Sequence, residues 1–249
     1  MNEKILIYGY HSIKEAINSN KIKILLIIID KNKIYKYSKL INNIKNNKIS
    51  IKYLNKNNID NIINNKNKNN KIINYQGIIA YIYIIKKFTL NNINFNNTLN
   101  ILILYNITDT KNIGSIIRSS VCLNINLIII KKNFYIFNPE IIKISSGAIF
   151  KINICKVNNI EHTIKFLKKN NIKIISITEK SNKNCINFFK NISSFALIFG
   201  NEEKGITNNI LSLSNYKIKI PIISKKISSL NVSVACGIIL YEINRNKII

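Results

Sequence analysis

The sequence predicts an α/β protein whose larger part is a parallel sheet flanked by helices. Three observations carry this. Short runs of strand length, such as 99–105, 172–177 and 195–199, are almost wholly apolar instead of alternating, as strands buried on both faces require. They alternate with amphipathic stretches of helical length. Of only 7 glycines, Gly114, Gly200 and Gly205 come just after expected strands, where α/β proteins build ligand sites.

In chain order, 24–29 reads as a strand, 35–44 as a helix, and 49–53 and 78–84 as strands. The Asn- and Lys-rich stretch 57–74 is weakly periodic and reads as a short helix with a loose loop. The chain then turns polar, and 86–98 reads as a linker. Beyond it, strands are expected at 99–105, 125–130, 152–157, 172–177, 195–199 and 216–220, with helices near 113–122, 160–169, 207–213 and 232–244. Asp109 or Asn112 is placed to cap the first of these helices, and Ser229 the last. These boundaries give an N-terminal domain over 1–85 and a second domain over 99–249. No internal repeat is evident.

Charge points to a partner. The 249 residues carry 38 Lys and Arg against 11 Asp and Glu, a net +27. Ile, Asn and Lys dominate together, as an AT-rich coding sequence such as an endosymbiont's would produce, and that explains most of the lysines. It does not explain the scarcity of acids, so a polyanion such as nucleic acid is favoured. Cys122, Cys155, Cys185 and Cys236 are widely spaced, which argues against a disulfide framework or a zinc site. They read as reduced core residues of a cytoplasmic protein. No apolar run approaches the roughly 20 residues of a membrane helix, and the N-terminus lacks a signal-peptide pattern.

Three segments depart from the Ile/Asn/Lys background. The first runs from Asn106 through Asp109, Asn112 and Gly114 to Arg118, a strand-to-helix turn. Arg118 lies about one turn beyond Gly114, and its fork of donors suits phosphate or ribose oxygens. It is one of few arginines in a chain that otherwise uses Lys. The second is Gly200-Asn201-Glu202-Glu203-Lys204-Gly205. Its paired glycines suit a loop whose backbone meets a base or ribose, and it lacks the Gly-Lys-Ser/Thr ending of a phosphate-binding loop. The third is Ile220-Pro221-Ile222, followed by Ser228-Ser229-Leu230-Asn231 and an apolar helix. Asn231 offers both a donor and an acceptor at the helix mouth.

In order, spacing and wording, these segments resemble the signature of the SpoU/TrmH class of SPOUT RNA 2′-O-ribose methyltransferases. Residues 7–16, from Ile7-Tyr8-Gly9-Tyr10-His11 onward, and Tyr75-Gln76-Gly77-Ile78-Ile79-Ala80 resemble the substrate-binding domain of the RlmB-like branch. That branch methylates a guanosine of large-subunit (23S-type) rRNA. The resemblance covers nearly the whole chain and implies several properties. The C-terminal domain would thread a deep trefoil knot, an exception to ordinary topology. S-adenosylmethionine would be the methyl donor, no metal would be needed, and the protein would be a homodimer with its active site near the interface. Position by position, Asn112, Arg118, Glu202, Ser229 and Asn231 would form the catalytic group, and Gly200, Ile220 and Leu230 would contact the cofactor. His11, Tyr75 and Gln76 become candidates for RNA contact, although Tyr75 also reads as core packing beside a strand and His11 as a local hydrogen-bonding residue. Tyr75 stands where His is usual, Asn106 replaces a common Gly, and Thr110 replaces a common Pro. The alternatives are a tRNA substrate, which the N-terminal domain argues against, and a non-catalytic RNA-binding assembly factor, which the intact Arg118, Glu202 and Asn231 argue against.

Overall fold

The computed structural model describes residues 3–66, 73–190, 192–224, 226 and 229–248. In the first half the elements are β1 (Ile5–Tyr8), α1 (Tyr10–Ile17), β2 (Ile22–Asp30), α2 (Ser38–Asn46), β3 (Ile51–Leu54), α3 (Lys56–Lys66), β4 (Ile78–Ile84), β5 (Asn100–Tyr105) and α4 (Thr110–Cys122). The second half continues with β6 (Leu127–Lys131), α5 (Pro139–Ile144), β7 (Asn153–Val157), α6 (Ile160–Lys169), β8 (Lys173–Ile177), β9 (Phe195–Gly200), α7 (Asn208–Leu213), β10 (Tyr216–Ile218) and α8 (Val232–Ile248). They divide into two compact units: residues 1–87 with 137–151, and residues 88–136 with 152–249. Among the described residues no helix is long and apolar enough to cross a membrane.

The first unit is built on a four-stranded sheet in the order β1-β4-β2-β3. β4 runs antiparallel to both β1 and β2, while β2 and β3 are parallel. Its strands are Ile-rich, and Ile7, Ile27, Ile29, Ile78, Ile79 and Ile82 are fully buried. The helix expected over 35–44 is split into a 3-10 turn at Tyr35–Tyr37 and α2. The stretch expected as a short helix and loop begins as α3, and residues 67–72 of that expectation lie outside the described residues. Tyr75 is 8% exposed and packs with Leu6, Tyr8, Ile28, Ile59, Ile63 and Ile79. The expectation of RNA contact at Tyr75 is therefore corrected. Its ring is core, and burial, with the Asp60 carboxylate nearby, pushes its hydroxyl above the ordinary tyrosine range.

Residues 137–151, expected in the second domain, fold into the first unit. Asn138 caps α5 by accepting from Glu140 N at 2.8 Å, with Pro139 in the first turn, where its missing N–H costs nothing. α5 packs against β1 and α1. Ser12 Oγ donates to Ile142 O at 3.2 Å, and Lys151 Nζ pairs with Glu15 at 2.8 Å. Gly147 has φ +79, and a Cβ there would lie 2.8 Å from Glu15 Cβ, so a glycine is needed for both the turn and the close approach. Ile141, Ile142, Ile149 and Phe150 are buried as a result.

The second unit is a six-stranded sheet, parallel throughout, in the order β10-β8-β9-β5-β6-β7. The strands expected from unbroken apolar runs are buried on both faces: Ile101, Leu102, Ile103 and Leu104 are at most 1% exposed. α6 and α7 cover one face through Ile160, Ile164, Leu167, Ile210 and Leu211. α8 packs against α4 and β9. Most of the expected linker belongs here too, because Phe88, Leu90, Ile93 and Phe95 pack against that core. From β5 the chain builds outward through β6 and β7. It then crosses to lay β8, β9 and β10 on the other side of β5. The strand order thus reverses between β5 and β9, the position where open α/β sheets leave a crevice at the carboxyl ends of the strands.

Candidate functional site

β5 and β9 end level with each other, with Tyr105 paired to Gly200. The next residue on each strand is an asparagine, and the two are tied: Asn201 Nδ2 donates to Asn106 O at 3.0 Å. Asn106 has φ 57, a left-handed conformation that Asn tolerates better than most residues. That is why Asn serves where Gly is common. Asn201 Oδ1 accepts from the N–H groups of Glu203 and Lys204, each at 3.0 Å. Its carbonyl accepts from Gly205 N at 2.9 Å, so loop 201–205 closes on itself. At Gly200 a Cβ would lie 2.5 Å from Gly205 C and 2.6 Å from Gly205 O. Only glycine lets the loop fold back onto the strand end.

In this frame the three sequence segments meet. Asp109 caps α4, accepting from Lys111 N at 3.0 Å. That fixes the first turn of the helix, where Asn112 is 9% exposed. Asn112 Nδ2 donates to Glu202 Oε1 at 2.8 Å, and Asn112 Oδ1 accepts from Asn231 Nδ2 at 3.0 Å. The Glu202 carboxylate oxygen accepts and the Asn231 amide donates, so the Asn112 amide has one orientation that serves both partners. Asn231 Oδ1 in turn accepts from Ser233 N at 2.9 Å and Ser233 Oγ at 2.6 Å. Asn231 therefore caps α8, which corrects the expectation that Ser229 does so. The side chain that starts the helix is also one that completes the site.

The other expected residues stand apart from this network. Arg118, exposed further along α4, makes no hydrogen bond or ion pair among the described residues. Ser229 is exposed and Leu230 is 40% exposed, both just ahead of α8. Ser228, quoted with them in the sequence, lies outside the described residues. Ile220 is half-buried beyond β10. Among the described residues the backbone polar groups of Ile220, Ile222 and Ile223 have no protein partner. In the first unit His11 is exposed, and Gln76 Oε1 accepts from Tyr10 N at 2.9 Å. Asn106 and Asn201 were missed as shaping residues. The available signal was Asn directly after a strand end, a residue that bonds its own backbone and tolerates left-handed turns.

Burial pushes the Cys155 thiol up to about 11 and the Cys236 thiol higher still, so both stay protonated and act as packing residues. Among the described residues no three His, Cys, Asp or Glu side chains cluster as metal ligands would.

Comparison with known proteins agrees with this geometry. Residues 100–241 match the SpoU rRNA Methylase family, and residues 6–82 match the family described as RNA 2′-O ribose methyltransferase substrate binding. The chain is 31% identical to the 23S rRNA (guanosine-2′-O-)-methyltransferase RlmB of Blochmanniella floridana, with 97% of this chain and 95% of that protein covered. The chain belongs to the SpoU rRNA methylase family. It is also 28% identical to a putative TrmH family tRNA/rRNA methyltransferase of Staphylococcus saprophyticus, with coverage of 98% and 97%. Its fold matches that of the SpoU methyltransferase AviRb from Streptomyces viridochromogenes, solved in complex with AdoMet. The TM-score is 0.80 at 19% identity, covering 98% of this chain and 91% of that one. In SpoU-family terms, the Asn112–Glu202 and Asn112–Asn231 bonds join all three signature segments at the strand-order reversal.

Proposed function

We propose that this SpoU-family chain transfers a methyl group from S-adenosylmethionine to the ribose 2′-oxygen of a guanosine in 23S-type rRNA, as a homodimer in the bacterial cytoplasm. The observation that carries the reading is the network itself. Asn112 bonds residues 90 and 119 positions away, and a fold does not need to bring three such polar segments together at a strand-end crevice. The likeness to RlmB over nearly the full chain supports the rRNA substrate.

The residues present fit the cofactor. The closed loop on Gly200 leaves the strand end without side-chain bulk, and the unpaired backbone of 220–223 offers donors and acceptors suited to a base edge. The exposed Ile222, Ile223 and Leu230 offer apolar contact. Gly200, Ile220 and Leu230 would hold the adenosyl group there, in a segment belonging to the knot that the family fold implies. When bound, that cofactor supplies an electrophilic methyl group. The protein's own part is positioning. Asn112 and Asn231 lock Glu202 and the mouth of α8. Arg118 presents a permanently charged fork that holds the target ribose or its phosphate, with Ser229 beside the reacting oxygen.

α8 supports the dimer. Its buried face carries Cys236, Ile239, Leu240 and Ile243, yet Val234, Ile238 and Tyr241 on the other side are 51%, 38% and 55% exposed. A helix apolar on both faces calls for a second cover, and a second copy of α8 provides one near the site. Residues 1–85 would bind the RNA, consistent with the family match over 6–82.

The test is methyl incorporation from labelled S-adenosylmethionine into unmodified 23S-type rRNA and, separately, into unmodified tRNA. Label in rRNA is expected. Label confined to tRNA moves the substrate assignment, and no label in either overturns the reading.

A further inference from the structure

The first unit holds a small cleft that methyl transfer does not account for. Its volume is about 240 Å3, and it is lined by Tyr10, His11, Lys36, Tyr37 and Gln76. Three segments supply these residues: the start of α1 just after the Gly9 turn, the 3-10 turn ahead of α2, and the turn ahead of β4. Two of them are held in unusual conformations. Gly9, Gln76 and Gly77 have φ of 91, 61 and 87, and Gln76 is not a residue that readily adopts the left-handed region. Such a conformation persists where surrounding bonds over-determine it, and it clusters at ligand sites. Here Gln76 O accepts from Tyr37 OH at 2.6 Å, while Gln76 Oε1 accepts from Tyr10 N at 2.9 Å. With Oε1 so engaged, both N–H groups of Nε2 are left for a partner.

The aromatic wall is similarly built up. Tyr37, 2% exposed, backs Tyr10 in a stack with centroids 5.8 Å apart and 14° between planes. His11 meets Tyr10 edge-on at 5.2 Å. Tyr10 is half-buried and His11 exposed, so the wall reaches solvent. Lys36 is exposed beside it, within a run that also carries Lys31, Lys33 and Lys39. The nearby acid, Asp30, is 3% exposed and accepts from Asn32 N.

We propose that this cleft binds one unpaired nucleobase of the RNA substrate, stacked on the Tyr10 ring and flanked by His11, which stands edge-on to it, with the base edge on Gln76 Nε2 and its phosphate on Lys36. The proposal rests on the reading of this unit as RNA-binding and specifies the piece of RNA it takes. An aromatic ring to stack on, amide donors and a cation are the groups by which proteins read a splayed-out base. A duplex does not present such a base. Stacking tolerates any base, and the amide donors favour an acceptor on the base edge.

The full chain is titrated, without cofactor, with RNA hairpins carrying 2-aminopurine at each unpaired loop position in turn. Stacking should quench the fluorescence at one position. Tyr10→Leu, which keeps bulk and removes the π face, should weaken binding by about tenfold, as losing one stacked base does, and abolish the quench. His11→Ala should weaken binding severalfold. Tyr35→Leu, removing a ring that is 96% exposed and does not line the cleft, should change neither readout. A wild-type complex with no quench at any position overturns the proposal, as does wild-type behaviour of Tyr10→Leu. If melting shows that Tyr10→Leu is unfolded, the wild-type quench and the exposed His11→Ala decide the matter. Because cofactor is absent, a chain that methylates nothing can still pass, and one that methylates rRNA can still fail.

Discussion

Replacing Asn112 by Ala would remove the centre of the network. It breaks a 2.8 Å bond to a carboxylate and a 3.0 Å bond from a neutral amide. Bonds of these kinds contribute about 1.5–3 and about 1 kcal/mol. Glu202 and Asn231 are exposed, so water takes up the freed groups and the lower ends apply, about 2–3 kcal/mol together. If that energy holds the site in its working shape, methyl transfer should slow by about 30- to 150-fold. Glu202→Gln keeps the shape and removes the charge, and should cost less. The two changes act on one bond, so the double variant should be little worse than Asn112→Ala alone, with a coupling of about 1 kcal/mol or more. The assay is single-turnover methyl transfer at saturating RNA and cofactor, with thermal melting to confirm folding. Losses that simply multiply would refute the network as a working unit. So would an Asn112→Ala rate within twofold of wild type.

Three other outcomes are expected. Gly200→Ala places a Cβ 2.5 Å from Gly205 C and should loosen cofactor binding at least tenfold by calorimetry, whereas Gly205→Ala, with nothing within 4 Å of its Cβ but φ +62, should act through backbone strain and do less. RNA affinity of this +27 chain should fall about 100-fold between about 50 and 200 mM salt if about five phosphates are neutralised; a flat titration would return the lysine excess to coding bias. Burial raises the Cys155 thiol from 9.0 to about 11, so its contribution is present below pH 9 and is lost as pH rises toward 11. Urea midpoints should decline across that window, and more shallowly in Cys155→Ala; an equal decline in both would remove Cys155 as a cause.

The sequence made some elements legible to the residue. The β4 boundaries, Ile78–Ile84, and those of α6, Ile160–Lys169, follow from uninterrupted apolar content and from a strong 3.6-residue period. Other edges moved because caps override periodicity: Asp109 starts α4 at Thr110, before the first apolar-periodic residue. β1 was not distinguished as a strand, being four residues long ahead of a glycine turn. α5 was missed for a different reason. Its hydrogen-bond partner, Ser12, lies 130 residues back, and nothing local reports such docking. The same fact changes what can be cut. A fragment starting near Leu99 would strip the cover from Ile141, Ile142, Ile149 and Phe150, so tests belong on the full chain. At the site, the sequence identified Asn112, Glu202 and Asn231, but it could not say which atoms bond or that Asn231 doubles as the helix cap.

The most direct measurement is the position of the transferred methyl. Full-length protein, S-adenosylmethionine and unmodified 23S-type rRNA are incubated, and 2′-O-methyl nucleotides are mapped by their resistance to alkaline cleavage, in parallel with Arg118→Ala. Arg118 bonds nothing else among the described residues, so its loss should leave melting and cofactor affinity near wild type, as expected of a surface change. The account expects a single new 2′-O-methyl guanosine with the wild-type chain and a severe loss of it with Arg118→Ala. A methyl group found on a base, or an undiminished ribose methyl with Arg118→Ala, would contradict it.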